Sequence, residues 1–487
     1  MKADFSIDRF DRSKHFNRVL KQQGRVDLDS DWNEQTAIAA HHLRTALIDL
    51  VGAAAGPIDH AGFGLVDWTT LPTLQADALR QAGFKPSVGD FIIGAGRYYV
   101  AGLLVENEAP TSYTQQPEWR AVLLTAGKSY LVYLDVYERH ITYIEDDAVR
   151  EVALGGPDTC TRVKTTWQVK VLETSSSSDK LELTRKLEEL KKQLAEEKAK
   201  ATANAATVKK LTAQIAKLEP RASDTESCAT LLQPLQNRKS GGMRARIEPT
   251  EDDTPCVLAP EARYRGLENQ LYRIEIHRGT DNADHAPPSF KWSRENGAVV
   301  TRWLGVHGTA LRVACTRGFA AHDWIEVSDG SRELQGEAGT LYRVIDVEGD
   351  LLQLDKTPTW DPNLVNPFVR RWDQRANDEL TLRAGAIEIT PAKSDTDGWI
   401  ELEAGIEVQF LEGEYRTGDY WLIPARAATG SIEWPQVDGV GKALPPRGIV
   451  HHYAALARIE VTGEEPYVKI SEDCRCLFAP LACNNHD

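Results

Sequence analysis

The chain lacks the short signatures that mark the best-known enzyme classes. It contains no H-E-x-x-H, no G-x-S-x-G and no G-x-x-x-x-G-K-[ST], which removes the zincin helix, the nucleophile elbow and the phosphate loop. "GAG" at 94–96 has no third glycine, so it does not complete a dinucleotide loop. Basic clusters are missing too. Lys and Arg number 57 against 72 Asp and Glu, a net charge of -15 with no long basic run. That argues against nucleic acid as a partner, because phosphate-backbone binding needs clustered cations. No apolar run has membrane length: "FIIGAGRYYVAGLLV" (91–105) is short and holds Arg97. The opening "MKADFSIDRFDRSKHF" has no apolar core of a signal peptide, and no Asn-x-Ser/Thr sequon occurs. The expectation is synthesis in a cytoplasm without a signal peptide, with any release by a route other than general secretion.

Cysteine is sparse and odd in number: Cys160, Cys228, Cys256, Cys315, Cys474, Cys476 and Cys483. In a reducing compartment most are expected as buried thiols. The tail, Cys474-Arg-Cys476 followed by Cys483 and His486, offers three soft ligands and an imidazole, a weak Cys₃His metal candidate with non-standard spacing. The competing reading packs Cys474 and Cys476 on one face of a last strand. His451-His452 is adjacent on a strand and points to opposite faces, so packing or hydrogen bonding is expected rather than one shared ion. With 72 acidic residues, accidental carboxylate pairs are expected, and no spacing singles one out as a glycosidase pair. No cofactor and no catalytic residue is expected.

What is present is β-rich. "SYLVYLDVYERHITYI" (129–144), "RVKTTWQVKVLET" (162–174) and "LYRIEIHRG" (271–279) read as strands. "FKWSRENGAVVTRW" (290–303) carries Asn296-Gly297 and predicts a hairpin. Turns every eight to twelve residues through 322–355 and 398–427 suggest small barrels or sandwiches. The fold class expected is mainly β and multidomain, with an α-helical N-terminal region and an inserted helical hairpin or coiled coil. The division along the chain is 1–66 α-helical docking region; 67–174 plus 226–280 β domain; 175–225 inserted helices; 281–365 small barrel-like domain; 366–487 C-terminal β domain.

The insertion "KLELTRKLEELKKQLAEEKAKATANAATVKKLTAQIAKLEP" keeps heptad spacing at Leu183, Leu187, Leu190 and Leu194, and again at Val208, Leu211, Ile215 and Leu218. Its ends must return to nearly one place, which favours an antiparallel hairpin over an intermolecular coiled coil. Eight tryptophans (292, 303, 324, 360, 372, 399, 421 and 434) crowd the C-terminal part. Core or protein interface is the preferred reading; stacking on a cell-surface glycan is the alternative.

The N-terminal stretch "RVDLDSDWNEQ" (25–35) spaces Asp27, Asp29, Asp31 and Asn33 like a calcium loop. Trp32 and Ile38 stand where an EF-hand needs Gly and a bidentate Glu, so calcium is not expected. Instead, a helix around 13–23 ends at Gly24. Val26 and Leu28 then face inward, and Asp31 caps a long helix with Glu34 three residues on. Ala39, Leu43, Leu47, Leu50 and Val51 give that helix its periodicity.

The motifs "KHFNRVLKQQGRVDLDSDWNEQTAI", "YLVYLDVYERHITYIEDDAVREVALGGPDTCTRVKTTWQVKV", "LENQLYRIEIH", "FKWSRENGAVV", "RTGDYWLIPARAATGSIEWP" and "GIVHHYAALA" together resemble an uncharacterised phage-tail-like family. That family accompanies bacterial extracellular contractile injection systems. The resemblance covers most of the chain outside 175–240. It implies a structural part of a tail-like particle, at the baseplate, fibre or surface, with baseplate, sheath or fibre proteins as partners and no catalytic residue. It also implies an adaptor or scaffold rather than a receptor-binding tip. Self-association around a symmetric axis, a trimer by preference, is expected. The interface residues singled out are Val26, Leu28, Asp31 and Trp32 in the docking element, and Leu187, Leu190, Leu211 and Ile215 in the insertion. The simpler alternative, that 25–35 only folds its own domain, stays open.

Overall fold

The computed structural model describes the chain apart from residues 67, 69–70, 82, 157, 175–176, 200–204, 224–226, 238, 249–262, 283, 377–379, 438–439, 466 and 481–487. The fold is mainly β and multidomain. Among the described residues the helices are α1 (Asp29–Val51), α2 (Thr73–Gln81), α3 (Ser177–Ala199), α4 (Ala205–Ser223), α5 (Cys228–Gln236) and α6 (Gly330–Gln335). Two compact units form, each from three separate stretches. The first is Met1–Leu43, Glu138–Lys164 and Arg238–Val450; the second is Arg44–Tyr137, Thr165–Asn237 and His451–Asp487.

The first unit holds a six-stranded sheet in the order Leu382–Arg383, Ala386–Glu388, Ser289–Ser293, Gln270–Arg278, Tyr420–Arg426, Ser431–Ile432. Strict alternation along its central strand gives two chemically distinct faces. Tyr272, Ile274 and Ile276 join Phe290, Trp292, Phe410 and Trp421 in an apolar core. Arg273, Glu275 and His277 occupy the other face, and they are buried as well. A closed barrel follows, ordered Val300–His307, Ala310–Val313, Leu351–Leu354, Thr340–Glu348, Trp324–Ser328, Phe368–Trp372. Its interior is filled by Trp303, Leu311, Ile325, Val344, Leu352 and Val369.

Residues 290–303 do not form the expected hairpin. Ser289–Ser293 pairs within the sheet, whereas Val300–His307 pairs within the barrel. Asn296 (φ 51°) and Gly297 (φ 65°) do take the left-handed backbone that such a turn demands. The turn hands the chain from one sheet to the other instead of folding it back, because each arm finds a better-matched neighbour elsewhere.

The second unit pairs Val468–Asp473, His452–Val461, Ser129–Ile141 and Arg162–Thr174 in one sheet, and Leu477–Phe478, Ala54–Pro57, Gly96–Val100 and Leu103–Asn107 in another. Phe63, Tyr98, Val132, Leu134, Leu456 and Ile459 lie in its core. Within this unit α3 packs along α4, with Leu187 and Ile215 buried and Leu190, Leu194, Val208 and Leu211 half-buried. The bend between them, and the side chains of Leu183 and Leu218, lie outside the described residues.

The cysteines depart from the expectation of buried thiols. Cys228 and Cys474, 246 residues apart, form a disulfide. It fastens α5, whose Leu232 is buried with Leu131 and Tyr133. Cys160, Cys315 and Cys476 are free and exposed. Cys256 and Cys483 lie outside the described residues.

Candidate assembly interface

The N-terminal arm is anchored at its tip and open along its length. Among residues 16–28 no helix forms; only Arg12–Lys14 makes a 3₁₀ turn. A helix needs a buried face to repay its nucleation, and this stretch has none: Phe16 is 55% exposed and Leu20 71%. Val26 and Leu28, expected to face inward, are 82% and 45% exposed. The long helix starts at Asp29, so Asp31 lies in its first turn instead of capping it. The Asp29 carboxylate accepts from the Ser6 amide at 2.9 Å and from the Ser6 hydroxyl. Asp27 pairs with Lys21 at 3.0 Å. The carboxylates that resembled a calcium loop therefore serve separate local contacts.

The tip of the arm enters the charged face of the six-stranded sheet. The Lys2 ammonium sits 3.1 Å from Glu275 and 3.8 Å from Glu333. The Arg273 guanidinium donates to the Met1 carbonyl at 3.1 Å, and the Asn296 amide donates to the Ala3 carbonyl at 2.8 Å. Phe5 stands edge-on to His140. Thus the turn that failed to make a hairpin is a socket for the arm. Around it runs a continuous ionic network. Glu275 accepts from Arg273 at 2.6 Å, Lys291 reaches Glu275 at 3.4 Å and Glu326 at 2.6 Å, and the Trp372 indole donates to Glu326 at 3.0 Å. The Lys291 ammonium lies over the Trp372 ring, and Arg273 lies over Tyr420.

Burial alone would raise the carboxyls of this network. Instead Lys2, Arg273 and Lys291 hold Glu275 well below its ordinary range, and Lys291, Lys2 and His277 hold Glu326 down at about 2. Burial lowers the Lys2 ammonium, opposed by Glu275 and Glu333. Such a network is weak as a net source of stability, but breaking it leaves a stranded charge. It fixes where the arm starts.

Along α1 the two sides differ. Glu34, Ile38 and His41 face Phe10, Arg12 and Phe16 of the arm across a cavity of about 180 Å³. Val19 donates to the Gln35 side chain at 2.8 Å. Ser30 and Ile38 are the helix's buried residues. The other side carries Trp32, Leu43 and Leu50, exposed by 67%, 62% and 63%. Of the residues singled out from the sequence, Val26, Leu28 and Trp32 are therefore exposed near this helix start and Asp31 is half-buried. Leu187, Leu190, Leu211 and Ile215 are spent within the α3–α4 pair. The arm's socket was missed, since nothing local in "FKWSRENGAVV" names its occupant.

Other candidate chemistry is accounted for locally. His451 Nδ1 lies 2.7 Å from Asp135, whose second oxygen accepts from Lys170 at 2.7 Å. Burial opposes the Asp135 charge, but the His451 hydrogen bond and Lys170 hold its carboxyl below the usual value. Among the described residues, the one group of three His, Cys, Asp or Glu residues with converging ligand atoms is Cys228, Glu472 and Cys474. Two of its sulfurs are already bonded to each other. The expected packing of Cys474 and Cys476 on one face of a last strand is overturned: that strand ends at Asp473, Cys474 is bonded to Cys228 and Cys476 is exposed, while Cys483 and His486 lie outside the described residues. Of the eight C-terminal tryptophans, Trp292, Trp303, Trp372, Trp421 and Trp434 are buried, Trp324 and Trp399 are half-buried, and Trp360 is 40% exposed against Trp303. Among the described residues no helix is long and apolar enough to cross a membrane.

The chain belongs to DUF6519, a family of unknown function, which matches residues 1–486. No curated protein matches it. Among solved structures it is similar to the crystal structure of TssK, at 9% identity, over 84% of this chain and 99% of that one, with a TM-score of 0.16. A likeness at that score carries no argument.

Proposed function

We propose that this DUF6519 chain is a structural component of a contractile injection system or related phage-tail-like particle, as a baseplate, fibre or surface adaptor, acting by protein–protein assembly. One observation carries the reading. The N-terminal arm is pinned at Lys2 and Ala3 by a buried ionic socket, yet it leads into a helix with large apolar side chains left in water. Burying apolar area is the main driving force of association, and an anchored, uncovered apolar helix is built to meet a neighbour. The family resemblance in the motifs of the sequence supports the same class of particle. Partners are then baseplate, sheath or fibre subunits and other copies of the chain, and no catalytic role is assigned. We further propose synthesis in the cytoplasm without a signal peptide, and the Cys228–Cys474 bond suits a protein that later works in an oxidising environment.

The test is gentle isolation from native cells and mass spectrometry of what accompanies the chain. Sheath, tube or baseplate-like proteins in fixed ratio are expected. A clean preparation without them overturns the reading. Replacing Val26 and Leu28 with Asp is expected to abolish that co-isolation while leaving the isolated chain folded. The glycan alternative has no observation in its favour, since stacking needs open tryptophan faces and most of these are buried.

A further inference from the structure

The exposed side of α1 is not a random scatter of apolar residues. Trp32, Thr36, Ala39, Leu43, Ala46 and Leu50 follow one another by steps of four, three, four, three and four, and all six are exposed. That spacing is the a/d pattern of a left-handed coiled coil, in which each side chain needs a facing helix with the same repeat. Trp32, Ala39 and Ala46 take one core position, and Thr36, Leu43 and Leu50 the other. The chain's own arm covers the side around Ile38 and leaves this seam bare.

The geometry points to homotypic, parallel packing of α1 against α1 of another copy of this chain, a deepening that rests on the assembly reading above. Two arguments select a second copy. First, the flanks are compatible with themselves. The positions bordering the seam are Asn33, Gln35, Ala40, His42, Leu47 and Asp49. In a parallel pair Gln35 meets Ala40 and His42 meets Leu47, so no like charges face each other. On a chain of net charge -15, this strip is almost free of carboxylates. A basic partner helix would find nothing here to pair with, whereas an identical helix meets no repulsion. Second, the area fits a repeated contact. α1 is about 34 Å long at 1.5 Å per residue. Its largest exposed side chain, Trp32, is of a type that buries about 150–250 Å². One such seam falls short of the roughly 800 Å² per partner of a standard interface, so the contact is weak alone and is reinforced where copies are held side by side.

The test uses the full chain with Cys160, Cys256, Cys315, Cys476 and Cys483 replaced by serine, which leaves only the Cys228–Cys474 pair beside the introduced thiol. Ala39→Cys and Ala46→Cys exchange small residues within the seam, and Ile48→Cys places a thiol on the far side of the same helix. Under mild oxidation the two seam variants are expected to form covalent dimers at least about tenfold faster than Ile48→Cys, by proximity. Adding Leu43→Glu to Ala39→Cys is expected to erase that excess, and circular dichroism reports whether the fold survives. Crosslinking of Ala39→Cys without Ala46→Cys overturns the parallel arrangement, because an antiparallel pair brings together only the helix midpoint. Equal rates for all three variants overturn the homotypic contact. The underlying reading fails separately: co-isolation with particle proteins but no seam crosslinking keeps assembly and removes this contact. Seam crosslinking without such partners does the reverse.

Discussion

Trp372 lies on a barrel strand with 0% of its surface exposed, and its indole N–H donates to Glu326; Trp32 lies on α1 and is 67% exposed. The two residues belong to the same unit. Each strand around Trp372 has a neighbour on both edges, and Trp372 itself is enclosed within the folded chain. α1 has one side closed by the arm and one side left over. The difference separates apolar residues that fold the chain from apolar residues that the isolated chain does not use. It also sets the first prediction. Trp372→Ala removes a buried aromatic and the donor to a buried carboxylate, and should lower stability by about 3–5 kcal/mol. Trp32→Ala should stay within about 0.5 kcal/mol. Thermal or urea unfolding of the isolated chain measures both, and similar shifts for the two variants would break the comparison.

The same contrast holds for charge. Glu275 is 2% exposed and bonded by Lys2, Arg273 and Lys291. Further along the arm, Asp8 pairs with Arg447 with both side chains largely in water. Glu275→Gln strands three cations and is expected to cost about 3–5 kcal/mol. It should also free the arm, read as faster tryptic cleavage after Arg9 and Arg12. Asp8→Asn is expected to cost under about 1 kcal/mol. If Glu275→Gln left cleavage unchanged, the socket would not be what holds the arm.

Much of the β framework was legible because strand periodicity is local. "RVKTTWQVKVLET" is the strand Arg162–Thr174 residue for residue. "LYRIEIHR" reads as a strand, but the stretch alone does not say that Arg273 and Glu275 are buried. What covers Arg273 and Glu275 comes from Lys2 and from Glu326 and Trp372, which are remote in sequence. Asn296-Gly297 identified a turn, whereas its two arms pair with other strands: Ser289–Ser293 with Gln270–Arg278 and Ala386–Glu388, and Val300–His307 with Ala310–Val313 and Phe368–Trp372. At the N-terminus the error had the opposite form. Val26 and Leu28 were expected to bury themselves, but among the described residues both are exposed. The Cys228–Cys474 link was illegible for the plainest reason: 246 residues separate the partners. That bond is the next largest expected effect. Reducing it, or replacing both cysteines with serine, should remove about 2–4 kcal/mol. Hydrogen exchange should show the loss in α5 and in Leu131 and Tyr133 beneath it, with the barrel around Trp372 unaffected.

The last prediction concerns two buried histidines. His277 lies on the charged face of the sheet, and burial, with Lys291 beside it, pushes its imidazole down to about 4. His140, under Phe5, is pushed to about 3, by burial first. His277 Nδ1 and His140 Nε2 are buried without a hydrogen-bond partner. Both values lie below the ordinary 6.5. As pH falls below 6.5, the unfolded chain therefore takes up protons that the folded chain refuses. Stability must then fall with pH, by up to about 1.4 kcal/mol per unit and per histidine. The fall due to His277 ends near pH 4. Loss from Glu326 belongs to lower pH, below its ordinary 4.5 and on toward about 2. The window from pH 6.5 to 5 thus reports the imidazoles. His277→Gln should flatten the stability profile in that window whatever it does to stability at pH 7, since the slope and not the level carries the signal. A slope untouched by His277→Gln would mean that this face of the sheet admits water and protons, and that the socket closed by Lys2 is looser than its packing implies.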